Sequence, residues 1–112
     1  MVKYIPQRGD IVWLDFNPRK GHEQAGKRPA FVVSPYKYNK VTGLMLCCPI
    51  TSKVKGYPFE VRLQNLPIEG VILCDQVKSL DFQARKAQLA CKTEDEETTR
   101  QVVQYIKLLL EE

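Results

Sequence analysis

The side chains best suited to chemistry cluster in one polar stretch, Gly21-His22-Glu23-Gln24-Ala25-Gly26-Lys27-Arg28-Pro29, which runs straight into the apolar Ala30-Phe31-Val32-Val33. Gly21 and Gly26 permit positive φ, and Pro29 bars Arg28 from the helical region, so the arginine is expected in an extended pose at a loop–strand junction. Glu23 offers an acceptor or proton carrier and Gln24 an amide that both donates and accepts. Lys27 and Arg28 form a paired positive charge suited to a phosphate. The plainer reading is a solvated hairpin loop, since charged loops are common and few do chemistry.

A second polar stretch follows the apolar run 44–50: Pro49-Ile50-Thr51-Ser52-Lys53-Val54-Lys55-Gly56-Tyr57-Pro58. Two hydroxyls and two ammonium groups are what a phosphate site uses, as donors and as charge. A hydroxyl-rich turn with solvated lysines has the same composition. A third, Asp75-Gln76-Val77-Lys78-Ser79, interrupts an apolar segment; Asp75 and Gln76 are either buried and locally satisfied or face a site. Tyr36, Tyr38 and Asn39 lie among lysines, where aromatics can stack on bases or cover the rim of a small core.

The elements that must position these groups are short. Alternation predicts a strand over 11–16, with Val12, Leu14 and Phe16 on one face, ended by Asn17-Pro18. A second strand over 30–33 stops at Ser34-Pro35, and 36–43 reads as a turn of helix or a loop. The run 44–50 is expected to be a strand buried on both sides. Strands over 59–63 and 70–74 follow, and 82–90 is read as supplying the last. Thr93-Glu94-Asp95-Glu96 reads as a capping box, opening a helix whose stripe of Val102, Val103, Ile106, Leu109 and Leu110 should dock on the sheet. Many short strands with Gly and Pro turns favour a small barrel over a parallel sheet.

At 112 residues the chain is expected to form one domain. Its longest apolar run is too short to span a bilayer, and with no signal-like start the chain is expected to be cytoplasmic. Cys47, Cys48, Cys74 and Cys91 lack metal-ligand spacing and are expected to be buried, reduced thiols, so neither metal nor cofactor is anticipated. The net charge of +4 hides an asymmetry: residues 1–92 carry 15 Lys and Arg against 7 Asp and Glu, and residues 93–112 carry 2 against 6. A basic body attracts a polyanion or an acidic protein segment, though a basic surface also serves solubility.

Taken together, Gly9-Asp10-Ile11-Val12-Trp13, Glu23-Gln24-Ala25-Gly26-Lys27-Arg28-Pro29, Val33-Ser34-Pro35, Pro49-Ile50-Thr51-Ser52, Lys55-Gly56-Tyr57-Pro58-Phe59-Glu60-Val61 and Asp75-Gln76-Val77-Lys78-Ser79 closely resemble the MazF/PemK family of toxin endoribonucleases. The resemblance covers nearly the whole chain. It implies a mainly β, SH3-like barrel over about 1–92 with a C-terminal α-helix over about 94–110, the CcdB/PemK-like toxin fold, as a homodimer. It further implies metal-independent cleavage of single-stranded RNA at a short sequence. The implied partner is an antitoxin whose flexible acidic segment covers the RNA groove, with DNA contacted only by way of that antitoxin.

By this resemblance Arg28 and Thr51 match the family's catalytic pair and Glu23 an acidic loop position tied to activity. Substrate contacts are assigned to Gln24 and Lys27 in the first stretch, to Ser52, Lys53, Lys55 and Tyr57 in the second, and to Asn39, Gln76 and Lys78. RNA carries its own nucleophile: the 2′-hydroxyl can attack the adjacent phosphorus, leaving a 2′,3′-cyclic phosphate and a 5′-hydroxyl. Such an enzyme must move protons and stabilise charge. Arg28 is suited to hold the growing charge or donate the leaving-group proton, and Thr51 to orient the phosphate. His22, the single histidine, is an alternative base because its pKa is ordinarily near neutral; the other reading is an exposed loop residue. Two further functions remain open at this point: a non-enzymatic, CcdB-like toxin that binds a protein target such as gyrase, and a nucleic-acid-binding module without catalysis.

Overall fold

The computed structural model describes residues 3–15 and 27–111, so Phe16, Asn17-Pro18, and His22, Glu23 and Gln24 of the first polar stretch lie outside the described residues. Strand β1 (Asp10–Asp15) pairs antiparallel with β2 (Lys27–Val32), setting Ile11 opposite Phe31 and Leu14 opposite Arg28. Strand β3 (Leu44–Thr51) takes the other edge of β2, with Ala30 opposite Pro49. Its own far edge is shared. Residues Leu44 to Cys47 pair with β6 (Lys78–Asp81), and Ile50 and Thr51 pair with β5 (Val71–Leu73), which in turn carries β4 (Glu60–Arg62). Strand β7 (Gln88–Lys92) covers the outer edge of β1. The pairing path β4-β5-β3-β2-β1-β7 does not close on itself among the described residues, so the mainly β, barrel-like fold is an open one.

Strand alternation divides the apolar side chains between two faces. Ile11, Phe31, Cys48, Ile50 and Ile72 look one way and pack with Val102 of the C-terminal helix α2 (Glu96–Leu110). Val12, Leu14, Ala30, Val32 and Met45 look the other way, onto Phe82 and the partly buried Tyr4 and Ile5. Each fully buried aliphatic or aromatic side chain contributes about 1.5–3 kcal/mol relative to exposure. The strands carrying the polar stretches are therefore fixed from both sides.

Several expectations are corrected. The N-terminal half of β3 is not buried on both faces: Leu44 and Leu46 are 36% and 38% exposed, because only one side of that half meets the core. Residues 36–42, left open between a turn of helix and a loop, form a helix, α1 (Tyr36–Thr42), closed by Gly43 at φ 75° with its N–H donated to the Asn39 carbonyl. The last strand begins at Gln88 rather than at Phe82. The Asp81 carboxylate accepts the Gln83 and Ala84 N–H groups and holds that segment in a turn. Thr93 does not cap α2. Its N–H is donated to the Gly9 carbonyl, and Asp95 caps instead, accepting from the Glu97 N–H and the Thr98 hydroxyl. The apolar stripe docks at Val102, Val103 and Ile106 but runs out at Leu109 and Leu110, which are exposed.

The thiols are buried or half-buried and unpaired, as their sequence context implied. Burial pushes Cys47 up to about 12, and the neighbouring Cys74 thiol, followed by burial, raises Cys48 as well. Their reactive thiolate forms are thus suppressed.

Candidate active site

Arg28 is the second residue of β2, held opposite Leu14 on one side. On the other side, the β2–β3 pairing ends at Ala30 and Pro49. Continued by two residues, that register sets Arg28 across from Thr51, the last residue of β3. Pro29, which has no N–H, lies between Arg28 and the end of the ladder. The two side chains meet in one open cleft of about 620 Å³, shared with Trp13, Ser52 and Lys53 and walled on the far side by Pro67, Ile68 and Glu69. Among the described residues no hydrogen bond or ion pair engages the Arg28 guanidinium. Its donors thus have no described partner where the residue lines the cleft.

Thr51 is positioned by its own chain. Its Oγ1 accepts the Lys53 N–H at 3.1 Å, so the hydroxyl proton remains available to a ligand in the cleft. Thr51 and Lys53 also line a smaller adjoining pocket of about 190 Å³, with Lys55, Tyr57, Asp75 and Gln76. Here Glu60 organises the loop: its carboxylate accepts the Lys55 N–H at 3.3 Å and the Gly56 N–H at 3.0 Å. Lys55 Nζ lies 5.9 Å from the centre of the Tyr57 ring, and that ring is 59% exposed. An exposed aromatic beside a cation suits a nucleobase, with stacking worth about 1–3 kcal/mol per base. The two cavities adjoin at Thr51 and Lys53; taken together as a trench, they carry cations at Arg28, Lys53 and Lys55 and carboxylates at Glu69, Glu60 and Asp75.

The trench thus unites Arg28, Thr51, Ser52, Lys53, Lys55, Tyr57 and Gln76. Asp75 and Gln76, left open between burial and a site, are both exposed on a single 3-10 turn (Cys74–Gln76) and face the trench. Lys27 and Lys78 line neither cavity; Lys27 donates to Gln88 Oε1 at 2.9 Å, and Lys78 stands opposite Cys47 in the β3–β6 ladder.

Asn39 is a correction. It is 0% exposed, its amide donating to the Pro6 and Ser34 carbonyls while its carbonyl accepts the Ser34 hydroxyl. It ties α1 to the N-terminal segment and offers nothing to a substrate. Sequence reasoning passed over Trp13 and the wall 67–69. Asn65 and Pro67 are turn-forming types that could have flagged that segment as irregular, though not which strand end it covers. Among the described residues no three His, Cys, Asp or Glu side chains converge as metal ligands.

Comparison with known proteins gives this geometry a context. Residues 7–110 match the family model described as PemK-like, MazF-like toxin of type II toxin-antitoxin system. The chain is 55% identical over 85 residues to the endoribonuclease toxin MazF of Escherichia coli K12, covering 76% of this chain and 77% of the relative. The fold matches the crystal structure of MazF from Deinococcus radiodurans with a TM-score of 0.86 at 47% identity, covering 96% of this chain and 98% of that one. A MazE-MazF structure from the same organism matches with a TM-score of 0.89 at 47% identity, covering 96% and 97%.

Proposed function

The chain belongs to the PemK-like, MazF-like toxins of type II toxin–antitoxin systems, and from that premise we propose that its trench cuts single-stranded RNA at a short sequence without a metal ion. The observation that carries this reading is the convergence of Arg28 and Thr51 from two neighbouring strands on one open cleft. RNA lies along the trench with the scissile phosphate between these two side chains. The 2′-hydroxyl attacks the adjacent phosphorus, the bond to the 5′-oxygen breaks, and the products are a 2′,3′-cyclic phosphate and a 5′-hydroxyl. Arg28 binds the non-bridging oxygens as their charge grows; preorganised donors of this kind lower a barrier by about 3–4 kcal/mol. Thr51 donates its remaining proton to the phosphate and fixes its orientation. Glu23, outside the described residues, is assigned the proton from the attacking hydroxyl, and the departing 5′-oxygen takes its proton from Arg28. Lys53 and Lys55 hold flanking phosphates, and Tyr57 stacks on a base.

The partner is a cognate antitoxin whose acidic segment occupies the same trench and so excludes RNA. A homodimer would cover apolar side chains left exposed at Leu108, Leu109 and Leu110. A CcdB-like protein-binding toxin is not favoured: the relative of highest identity described above is an endoribonuclease, and the Arg28–Thr51 pair that cleavage requires is present. No helix among the described residues is long and apolar enough to cross a membrane.

The test is digestion of a long single-stranded RNA with chelator present, followed by mapping of the new ends. Recurrent cuts at one short sequence with 5′-hydroxyl ends, lost in Arg28→Ala, are expected. Intact RNA from folded protein would overturn the assignment.

A further inference from the structure

We propose that Gly70 is a positioning residue for Thr51, an inference that rests on the assignment of Thr51 to the reaction. Gly70 immediately precedes β5 and has φ +130°, a conformation that essentially only glycine adopts. Strain is only part of its role. A Cβ at Gly70 would stand 2.3 Å from the Thr51 carbonyl oxygen, 2.8 Å from the Thr51 carbonyl carbon and 3.2 Å from Ser52 Cα. All three are backbone atoms, so no change of rotamer relieves the overlap. Gly43 and Gly56 also have positive φ, yet a Cβ at either meets nothing within 4 Å. Those glycines serve turns; Gly70 makes a close approach.

The Gly70 side of this contact is the less easily moved. The Gly70 carbonyl accepts the Leu63 N–H at 3.0 Å, and the next residue, Val71, is paired with both Thr51 and Arg62. The end of β3, where pairing with β2 has already stopped, is the part that gives way. It carries the Thr51 hydroxyl and its bond from the Lys53 N–H. Arg28, by contrast, stays anchored to β1 through the Leu14 pairing. A methyl group at position 70 therefore moves Thr51 relative to Arg28 while leaving both side chains present, and misplacement by about 1 Å can cost on the order of 100-fold in rate.

The experiment is a double-mutant cycle of Gly70→Ala and Thr51→Ala, with kcat and KM measured on one RNA and folding checked by circular dichroism. Expected is a loss in kcat of about 10- to 100-fold for Gly70→Ala with KM nearly unchanged, and a double variant no slower than Thr51→Ala. Wild-type kcat in folded Gly70→Ala, or losses that multiply in the double variant, would overturn this inference alone. Thr51→Ala cutting at the wild-type rate would overturn the Thr51 assignment and this inference with it. Should Gly70→Ala fail to fold, a Gly70→D-Ala protein assembled by ligation at Cys47 and Cys74 provides the second variant. D-alanine accepts this φ and places its methyl at the other Cα hydrogen, not at the position that overlaps Thr51. Wild-type kcat is expected there, and a folded D-Ala protein with kcat reduced tenfold or more would overturn the proposal.

Discussion

Opposite ends of the β1–β2 ladder handle polar side chains in opposite ways. At one end Asp10, only 2% exposed, is fully engaged: Oδ2 accepts the Tyr4 hydroxyl at 2.5 Å and the Gln7 N–H at 3.0 Å, and Oδ1 accepts Lys92 Nζ at 3.1 Å. At the other end, opposite Leu14, Arg28 faces an open cleft with no described partner, and the Thr51 hydroxyl retains its proton. The first arrangement turns charge inward to join the N-terminal segment, β1 and β7. The second leaves donors directed at a space that a phosphate can enter. Similar chemical groups therefore hold the fold together at one end and equip it to act at the other.

The largest effect that could break this contrast is at Asp10. Asp10→Ala removes the acceptor of a tyrosine hydroxyl and of an amide, while the half-exposed Lys92 ammonium turns to water; leaving part-buried donors unpaired costs about 1–3 kcal/mol. Against a total stability of about 5–15 kcal/mol, the urea midpoint should fall steeply. Cleavage per folded molecule should stay at the wild-type rate. Arg28→Ala should do the reverse: cleavage falls by about 100- to 1,000-fold, and stability changes by no more than about 0.5 kcal/mol. A slow but stable Asp10→Ala protein, or an unstable Arg28→Ala protein, would erase the distinction between the two ends.

Alkaline pH sharpens the same contrast. Burial first, then the hydrogen bond to Asp10 and its negative charge, raise the Tyr4 phenol above its ordinary 10.0, while burial raises Cys47 from 9.0 to about 12. Folded protein thus retains protons that the unfolded chain releases. Stability is complete below about pH 9, falls between 9 and 12 through Cys47, and falls further above 10 through Tyr4, each retained proton contributing at most about 1.4 kcal/mol per pH unit. Tyr4→Phe should flatten the loss above pH 10 in urea titrations run across this range and leave that below 10 unchanged. An equally steep decline in Tyr4→Phe would mean that the phenol is not held by the Asp10 cluster.

The legible and illegible parts of this chain divide along the same line. The alternating residues 59–63, the run 70–74 and the Arg28-Pro29 junction were readable because the information is local: period, propensity and the restriction proline places on its neighbour. Arg28 and Thr51 were legible as types, but their meeting depends on a register between β2 and β3 that no local pattern states. Asn39 was misread because a polar residue among lysines looks exposed. What buries it is a bond to the Pro6 carbonyl, 33 residues away, together with Ser34. The cleft wall 67–69 was missed for a similar reason, since its place follows from the turn at Asn65, φ 60°, and from Gly70 lying against Thr51. Cys48 and Cys74 illustrate the intermediate case: burial could be read from their apolar surroundings, whereas the effect of one thiol on the other could not.

The smallest expected effect concerns Thr93, next to Lys92 at the inward-facing end. Thr93 and Asp95 both have side chains able to cap a helix, and the choice was made by a distant contact: the Thr93 N–H is donated to the Gly9 carbonyl at 2.8 Å, which holds Thr93 at the sheet while Asp95 caps. The Thr93 hydroxyl is then buried with no partner among the described residues. If polar groups at this end stabilise only through their partners, this one should contribute nothing. Thr93→Val keeps the shape and removes the unpaired oxygen, so it should be neutral or stabilising by up to about 1 kcal/mol, whereas Asp95→Ala should lose about 1 kcal/mol with its cap. Urea unfolding of the two variants side by side decides the matter. A Thr93→Val protein as unstable as Asp95→Ala would show that the hydroxyl is engaged after all, and that the inward-facing end extends past Asp10 and Lys92 to the start of α2.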